Sequence, residues 1–199
     1  IAGATTRIEL GTAVVASHPR HPMAMAQQAL TASAASNGRF TLGIGLSHRY
    51  VIEQEMGLSY QRPAAHMHEY LQVLMPLLAT GSVAFTGDFC NVNAHLHVLG
   101  AKDVPVVVAA LGPAMLELAG SQASGTTLWL TGPKTIDQHS VPLIRRAAAA
   151  AGRPPPRIVA GMPICISQRP AAARADIDKK LALYRNIPSY RAMLDREGA

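Results

Sequence analysis

The feature that most constrains this fold is an alternation of short apolar runs with longer helix-forming segments. Five runs rich in Val, Ile, Leu and Gly indicate buried strands, and they span residues 8–16, 39–46, 104–110, 126–130 and 157–167. These runs are apolar along most of their length rather than strictly alternating, which is typical of parallel strands covered by helices. We therefore predict an α/β fold in a single domain that covers residues 1–199.

The segments between the strands have helical spacing or strong helix formers. Proline stands at the predicted starts, where a first helical turn tolerates it, and glycine follows several predicted ends. The predicted helices span residues 23–35, 63–78, 113–122, 135–151, 171–184 and 188–197. Residues 83–99 alternate weakly and predict a small hairpin or an elaborated loop.

Periodicity alone does not separate a closed barrel from an open, doubly wound sheet. An open sheet that binds a dinucleotide usually carries a glycine-rich fingerprint after its first strand. The nearest match here, Gly43-Ile44-Gly45, lacks the third glycine at the required spacing. This difference favours the barrel.

The charge pattern bears on the class of partner. The formal net charge is +6, but the basic residues are scattered rather than clustered, which argues against a nucleic-acid partner. A small anionic ligand accounts for the positive balance equally well. We see no apolar run long enough to span a membrane and no leader pattern. We therefore expect a cytoplasmic protein without a membrane partner, with Cys90 and Cys165 as reduced thiols.

Six motifs follow one another along the chain: TRIELGTAV (6–14), GRFTLGIGLSH (38–48), YQRP (60–63), HMHEYL (66–71), AALGP (109–113) and PSYRAMLD (188–195). In this order they resemble the luciferase-like oxidoreductases, the flavin or deazaflavin enzymes related to bacterial luciferase. The last motif resembles a tail that is frequent in the branch of the family that uses coenzyme F420.

The resemblance implies a partial (β/α)8 TIM barrel. The family barrel has eight strands, and the runs in this chain match strands three to seven. We expect the first two strands and the last to be absent, together with the ring-binding side chains that the family places on its second strand. A sheet with two open edges favours self-association, and a homodimer is one way to cover them.

In parallel barrels the functional site lies at the carboxyl ends of the strands. Gly112 and Pro113 begin a helix directly after a strand, where unpaired N–H groups bind phosphate well. Thr131 and Gly132 follow the next strand and offer a hydroxyl and an N–H group. The resemblance implies that these four residues hold the phosphate of the cofactor. An ordinary turn between strand and helix is the alternative.

A second group of predicted cofactor-binding residues faces the flavin-like ring. Ala13 and Val14 match a position where members of the family have a non-prolyl cis peptide bond that supports the ring. Ser47 follows the Gly-rich strand, whose small residues let a ring approach the backbone. Ala109 and Ala110 end the third apolar run and complete the set. A regular buried strand is the alternative at Ala13 and Val14.

His48 is the predicted catalytic residue, because the family places a polar group near the ring at this position. A histidine there can exchange a proton at neutral pH; an ordinary loop histidine is the alternative. The resemblance implies coenzyme F420 as the cofactor, with FMN as the alternative, and a small-molecule substrate. We predict no metal site, since His95 and His97 lack a nearby third ligand. A non-catalytic remnant of such an enzyme is the competing hypothesis.

Overall fold

The computed structural model describes residues 1–198 of the chain. Its strands, in chain order, are β1 Leu10–Gly11, β2 Val15–Ala16, β3 Phe40–Gly45, β4 Ser82–Thr86, β5 Asn91–His95, β6 Val106–Ala109, β7 Gly125–Trp129 and β8 Arg157–Gly161. Strands β4 and β5 form the separate antiparallel hairpin that the sequence predicts at 83–99.

The helices follow the predicted segments and most of them begin at proline, whose fixed φ suits the first helical position. They are α1 Pro22–Ala35, α2 Pro63–Thr80, α3 Pro113–Gln122, α4 Pro133–Thr135, α5 Val141–Ala150, α6 Pro170–Arg185 and α7 Pro188–Glu197. Two π-helical segments, Val51–Glu55 and Ile136–Ser140, and a 3-10 turn at Ala2–Ala4 complete the described elements. None of the helices within residues 1–198 combines the length and apolar character needed to cross a membrane.

The main sheet is parallel throughout. Its strands lie in the order β1, β3, β6, β7, β8, and β2 also pairs with β3. Strand β3 has more pairing partners than any other strand of this sheet. Its Ile44 is in register with Val15 of β2 and with Val108 of β6. Because the strands run in one direction, all of their carboxyl ends meet at one edge. The predicted parallel α/β fold is confirmed.

A contact between the two outermost strands shows that the sheet curls. The Arg157 guanidinium at the start of β8 donates to the carboxylate of Glu9, which directly precedes β1. In a flat sheet these strands would stand about 19 Å apart, four spacings of roughly 4.8 Å, which is farther than two side chains reach. The sheet is therefore a half-barrel, as the family resemblance implies.

The structure corrects the extent of three predicted elements. The run 8–16 is two short strands, because the Thr12 hydroxyl donates to the Gly43 carbonyl at 2.8 Å and accepts the Gly43 N–H at 2.9 Å in place of the backbone ladder. The run 157–167 ends as a strand at Gly161, and Pro163 just beyond has no N–H to donate.

The predicted helix 135–151 begins two residues earlier, at Pro133, and it is interrupted by the π-helical segment Ile136–Ser140. Pro142 follows this segment closely and has no amide hydrogen to donate to the preceding turn, so a regular helical ladder is broken there.

The core lies between the outer face of the sheet and helices α1, α2 and α3. Helix α2 contributes most of it, through side chains that are at most 2% exposed: Met67, Tyr70, Leu71, Val73, Leu74 and Leu77. They pack toward Ile44 on β3 and Val108 on β6, which are fully buried. The apolar spacing of α2 in the sequence is thus the spacing of its buried face.

Replacing Leu74 with Ala tests this core. Leu74 is fully buried, so the substitution should lower the free energy of unfolding by about 2–5 kcal/mol through lost burial and a residual cavity. The control is Leu99→Ala, because Leu99 is 88% exposed and should change stability by less than about 0.5 kcal/mol. Chemical denaturation measures both, and equal effects would contradict the assigned core.

Candidate functional site

Two of the predicted cofactor-binding residues, Val14 and Ala109, lie beside Gly45 at the carboxyl edge of the sheet, whereas the predicted Ala110 is buried. A methyl group on Gly45 would lie 2.9 Å from Cγ2 of Val14 and 3.1 Å from Cβ of Ala109. Val14, which directly precedes β2, and Ala109 on β6 therefore both lie against Gly45 of β3. Only glycine fits in the middle of this group, and the small side chains leave a low, apolar surface.

The peptide bond between Ala13 and Val14 is cis, as the family resemblance implies. It lies in the break between β1 and β2, next to the hydrogen bonds that Thr12 makes with Gly43. Ala13 is exposed, and Val14 is 38% exposed although it is apolar. This exposed valine above the strand ends is the surface on which we predict that the ring lies.

Ser47 turns the chain away from β3 with a left-handed backbone, at φ 62°. Its carbonyl accepts a hydrogen bond from the hydroxyl of Tyr60 at 3.2 Å. This contact fixes the turn and thereby the direction in which the next residue, His48, leaves the sheet.

His48 lies half-buried among aromatic side chains. Its ring centroid is 6.2 Å from that of Tyr50, 6.4 Å from that of Tyr184 and 5.9 Å from that of Tyr190. Burial lowers the pKa of His48 below its ordinary value, so the imidazole is neutral at pH 7 and can accept a proton. Burial also raises the pKa of Tyr190 to about 12, which keeps that hydroxyl protonated.

Sequence reasoning missed the two tyrosines above His48. Tyr184 ends α6 and Tyr190 lies in α7, and their rings meet edge to face with centroids 4.9 Å apart. The motif 188–195 supported the family resemblance, but nothing in its residues indicated that the two helices fold back over the sheet. The contacts of His48 with Tyr184 and Tyr190 join residues that are more than a hundred positions apart.

The start of α3 is open, as a phosphate site requires. Gly112 is the N-cap residue with φ −82° and ψ 161°, and no side chain caps the helix. A methyl group on Gly112 would meet nothing within 4 Å among residues 1–198. His139 donates through Nε2 to the carbonyl of Leu111 at 3.0 Å, which fixes the preceding turn. The first N–H groups of α3 thus face open space.

The start of α4 differs, because the chain places its own anion there. The Glu197 carboxylate accepts the N–H groups of Lys134 at 3.3 Å and Thr135 at 2.8 Å. It also accepts the Thr135 hydroxyl at 2.7 Å. These hydrogen bonds, led by the Thr135 hydroxyl, lower the pKa of Glu197.

This arrangement separates the four residues predicted to bind phosphate. The Thr131 hydroxyl is buried and donates to the carbonyl of Trp129 at 3.3 Å. A methyl group on Gly132 would overlap the Glu197 carboxylate. The Thr131 hydroxyl is therefore committed to the chain itself and the Glu197 carboxylate covers Gly132, whereas Gly112 and Pro113 remain accessible.

Comparison with known proteins identifies the family. The family model described as luciferase-like monooxygenase matches residues 1–199. The chain belongs to this family. The curled sheet of parallel strands agrees with membership in the luciferase-like family.

Two reductases are among the proteins to which this luciferase-like chain is similar. A 5,10-methylenetetrahydromethanopterin reductase of Methanolobus tindarius is 30% identical over 86% of this chain and 52% of its own length. The solved structure of a coenzyme F420-dependent tetrahydromethanopterin reductase from Methanopyrus kandleri is 25% identical, with a TM-score of 0.82 over 99% of this chain and 61% of that one. The chain thus spans less than two thirds of these proteins.

A further solved structure shares the fold alone. It is the Type II Baeyer-Villiger monooxygenase of Pseudomonas putida, the oxygenating constituent of 3,6-diketocamphane monooxygenase, in complex with FMN. Its chain is 15% identical to the luciferase-like chain, with a TM-score of 0.74 over 98% of this chain and 61% of that one.

Replacing Glu197 with Gln tests the capping of α4. A carboxylate whose pKa is lowered on folding stabilises the folded state at pH values above its unfolded pKa. This contribution is lost as the pH falls through the folded pKa of Glu197, which lies below the ordinary value of 4.5. The variant should therefore melt at a lower temperature than the wild type at pH 7, and this difference should shrink under more acidic conditions.

The matched control is Glu117→Gln, on the exposed face of α3. Thermal unfolding followed by circular dichroism at several pH values measures both variants. A difference for Glu197→Gln that stays constant as the carboxylates become protonated would show that its charge does not hold α7 in place.

Proposed function

We propose that this chain carries the cofactor site of an oxidoreductase that uses coenzyme F420 and a small-molecule substrate. When bound, the deazaflavin supplies hydride transfer at one carbon of its ring. The observation that carries the proposal is geometric. The apolar surface at Val14 and the open start of α3 lie at the same edge of the sheet, so one elongated, phosphorylated molecule can reach both.

The first role of the chain is to support the ring. Val14, Gly45 and Ala109 form a surface that is apolar and nearly without side chains at its centre. A flat aromatic ring gains van der Waals contact and loses water on such a surface.

The second role is to bind the phosphate. The uncapped N–H groups of α3 carry the positive end of the helix dipole, and each favourable charge there contributes about 0.3–1 kcal/mol, more when partly buried. Gly112 allows close approach because it has no side chain, and Pro113 sets the helical φ without removing a needed donor.

The third role belongs to His48, which holds or accepts a proton beside the ring. Its neutral imidazole has one donor and one acceptor nitrogen at pH 7. The aromatic rings of Tyr184 and Tyr190 cover it from the side of α6 and α7 and reduce the access of water. Proton exchange with a substrate is therefore directed through a single group.

FMN is the second candidate, because a protein of the same fold is known in complex with FMN. The more similar relatives favour F420, since their names state this coenzyme or a methanopterin reductase activity. Both molecules have a ring and a phosphate, so the site described here accommodates the shared chemistry, and a direct titration separates them.

The variant Gly112→Asp tests the proposed phosphate position. Aspartate is a favourable N-cap residue, and no neighbouring atom opposes it, so the fold should be retained or slightly stabilised. Its charge, however, would oppose a phosphate, since like charges 4 Å apart near a protein surface repel by about 4 kcal/mol. We expect the wild type to bind F420 more tightly than FMN, and the variant to bind F420 at least about tenfold more weakly.

The control is Gly3→Asp, which adds the same charge where a side chain also meets nothing within 4 Å. Fluorescence titration measures affinity, and thermal unfolding confirms that both variants are folded. Unchanged F420 affinity in Gly112→Asp would reject the phosphate position, and the absence of binding of either cofactor to the wild type would reject the proposed function.

A further inference from the structure

A polar pocket lies outside the site described above, between the loop that joins β2 to α1, helix α2 and the turn of the β4–β5 hairpin. Its volume is about 230 Å³. We call it the histidine pocket and define it by Ser17, His18, Arg20, His66, Tyr70 and Phe89, which line it together with neighbouring residues.

Several polar atoms of this pocket are buried and have no partner among residues 1–198. They include the hydroxyls of Ser17 and Tyr70 and Nε2 of His66. Ser17 is fully buried and Tyr70 is 2% exposed. Buried polar atoms in folded proteins are nearly always hydrogen-bonded, and each exception calls for an explanation. Three such atoms in one pocket indicate a missing polar partner.

The histidines are held in a stack of aromatic rings. The ring of His18 lies 4.1 Å from that of His66 at an interplanar angle of 13°, and 5.1 Å from that of Tyr60. Phe89 meets His66 edge to face at 5.6 Å. These contacts fix both imidazoles in orientation, so their ring nitrogens are positioned before a ligand arrives.

Both imidazoles are neutral at pH 7. Burial and, as a smaller cause, the nearby His18 together lower the pKa of His66 to about 4, against the opposing effect of Glu69. Burial also lowers the pKa of His18, and the nearby Leu46 carbonyl opposes this change. Neither ring nitrogen of His18 makes a hydrogen bond of normal geometry with residues 1–198. Each neutral ring offers one N–H donor.

The charges around the pocket favour an anion. Arg20 lines it and forms no ion pair with residues 1–198. The Glu69 carboxylate acts on His66 and opposes an anion, but it accepts the N–H groups of Asp88 and Phe89, which offset part of its charge. The pocket also lies at the start of α1. The positive end of the helix dipole there adds to the attraction for an anion.

A metal ion does not fit these residues. No three His, Cys, Asp or Glu side chains within residues 1–198 lie close enough together to bind one. The rings of His18 and His66 are also nearly parallel, so the in-plane lone pairs of their nitrogens do not converge on one point. Hydroxyl donors and a guanidinium are the groups that bind oxygen anions.

We propose that the histidine pocket binds the oxyanion group of a small molecule, a carboxylate or a phosphate, through Ser17, His66 and Tyr70 with Arg20 as the countercharge. This site is separate from the proposed cofactor site and does not depend on it. A polar pocket of this size also accommodates several water molecules, and the test below distinguishes this outcome.

The test is a titration of the full chain at pH 7 with inorganic phosphate and, separately, with acetate. The imidazole nitrogen resonances of His18 and His66 report on the pocket. We expect saturable shifts of both residues, with a dissociation constant in the millimolar range or below. The stronger of the two anions identifies which oxyanion the pocket prefers.

Two variants locate the binding. Tyr70→Phe removes only a hydroxyl that has no partner, so the fold should be retained while affinity falls at least about fivefold. Arg20→Gln should weaken binding about tenfold or more, because a charge-assisted hydrogen bond is lost. The control Arg146→Gln removes the same charge from the exposed face of α5 and should leave affinity within about twofold.

Two results would overturn the proposal. One is the absence of a saturable shift up to about 50 mM of either anion, which would leave water as the occupant. The other is an affinity equally reduced by Arg20→Gln and Arg146→Gln, with Tyr70→Phe unchanged, which would show general attraction to a basic protein rather than a defined site.

Discussion

The structure depends on the hydrogen-bonded pairing of β3 with its neighbours. Strand β3 pairs with β1 and β2 on one side and with β6 on the other, so it fixes the positions of Val14, Ser47 and Ala109 relative to one another. Gly43 and Gly45 make this possible, because a side chain at Gly43 would overlap the Thr12 carbonyl and one at Gly45 would press on Val14. The contact between Glu9 and Arg157, near the two outermost strands, shows that the paired strands form a curled sheet.

The sequence was sufficient for the parts of the fold that depend on local pattern. Apolar runs and proline-started helices predicted the parallel strands, the hairpin and most helices, since burial and backbone preference act over neighbouring residues. The breaks were not predictable in this way. Thr12 replaces a ladder hydrogen bond through its side chain, and β8 ends early at Gly161, although the apolar run continues.

The candidate site divides in the same way. The cis bond at Ala13–Val14 was implied by the family resemblance, and the position of Gly112-Pro113 directly after a strand predicted the start of α3. The capping of α4 by Glu197 joins two segments more than sixty residues apart. The stack of His18 on His66 joins the loop before α1 to the first turn of α2. No periodicity encodes such contacts, because they depend on how whole elements pack against one another.

Electrostatics distinguish the positive helix ends of this chain. The start of α4 is neutralised by a carboxylate of the chain itself, whereas the start of α3 lacks any side-chain cap. We propose the first N–H groups of α3 as the phosphate position, so Gly112, a residue without a side chain, is central to the proposed function.

A crystal structure of the chain with coenzyme F420 tests the central claim most directly, namely that the carboxyl ends of the parallel strands form one cofactor surface. We expect the ring of the coenzyme to lie against Ala13 and Val14 and its phosphate to lie at the first N–H groups of α3. A ring bound away from the strand ends, or a phosphate held elsewhere than at the start of α3, would contradict it.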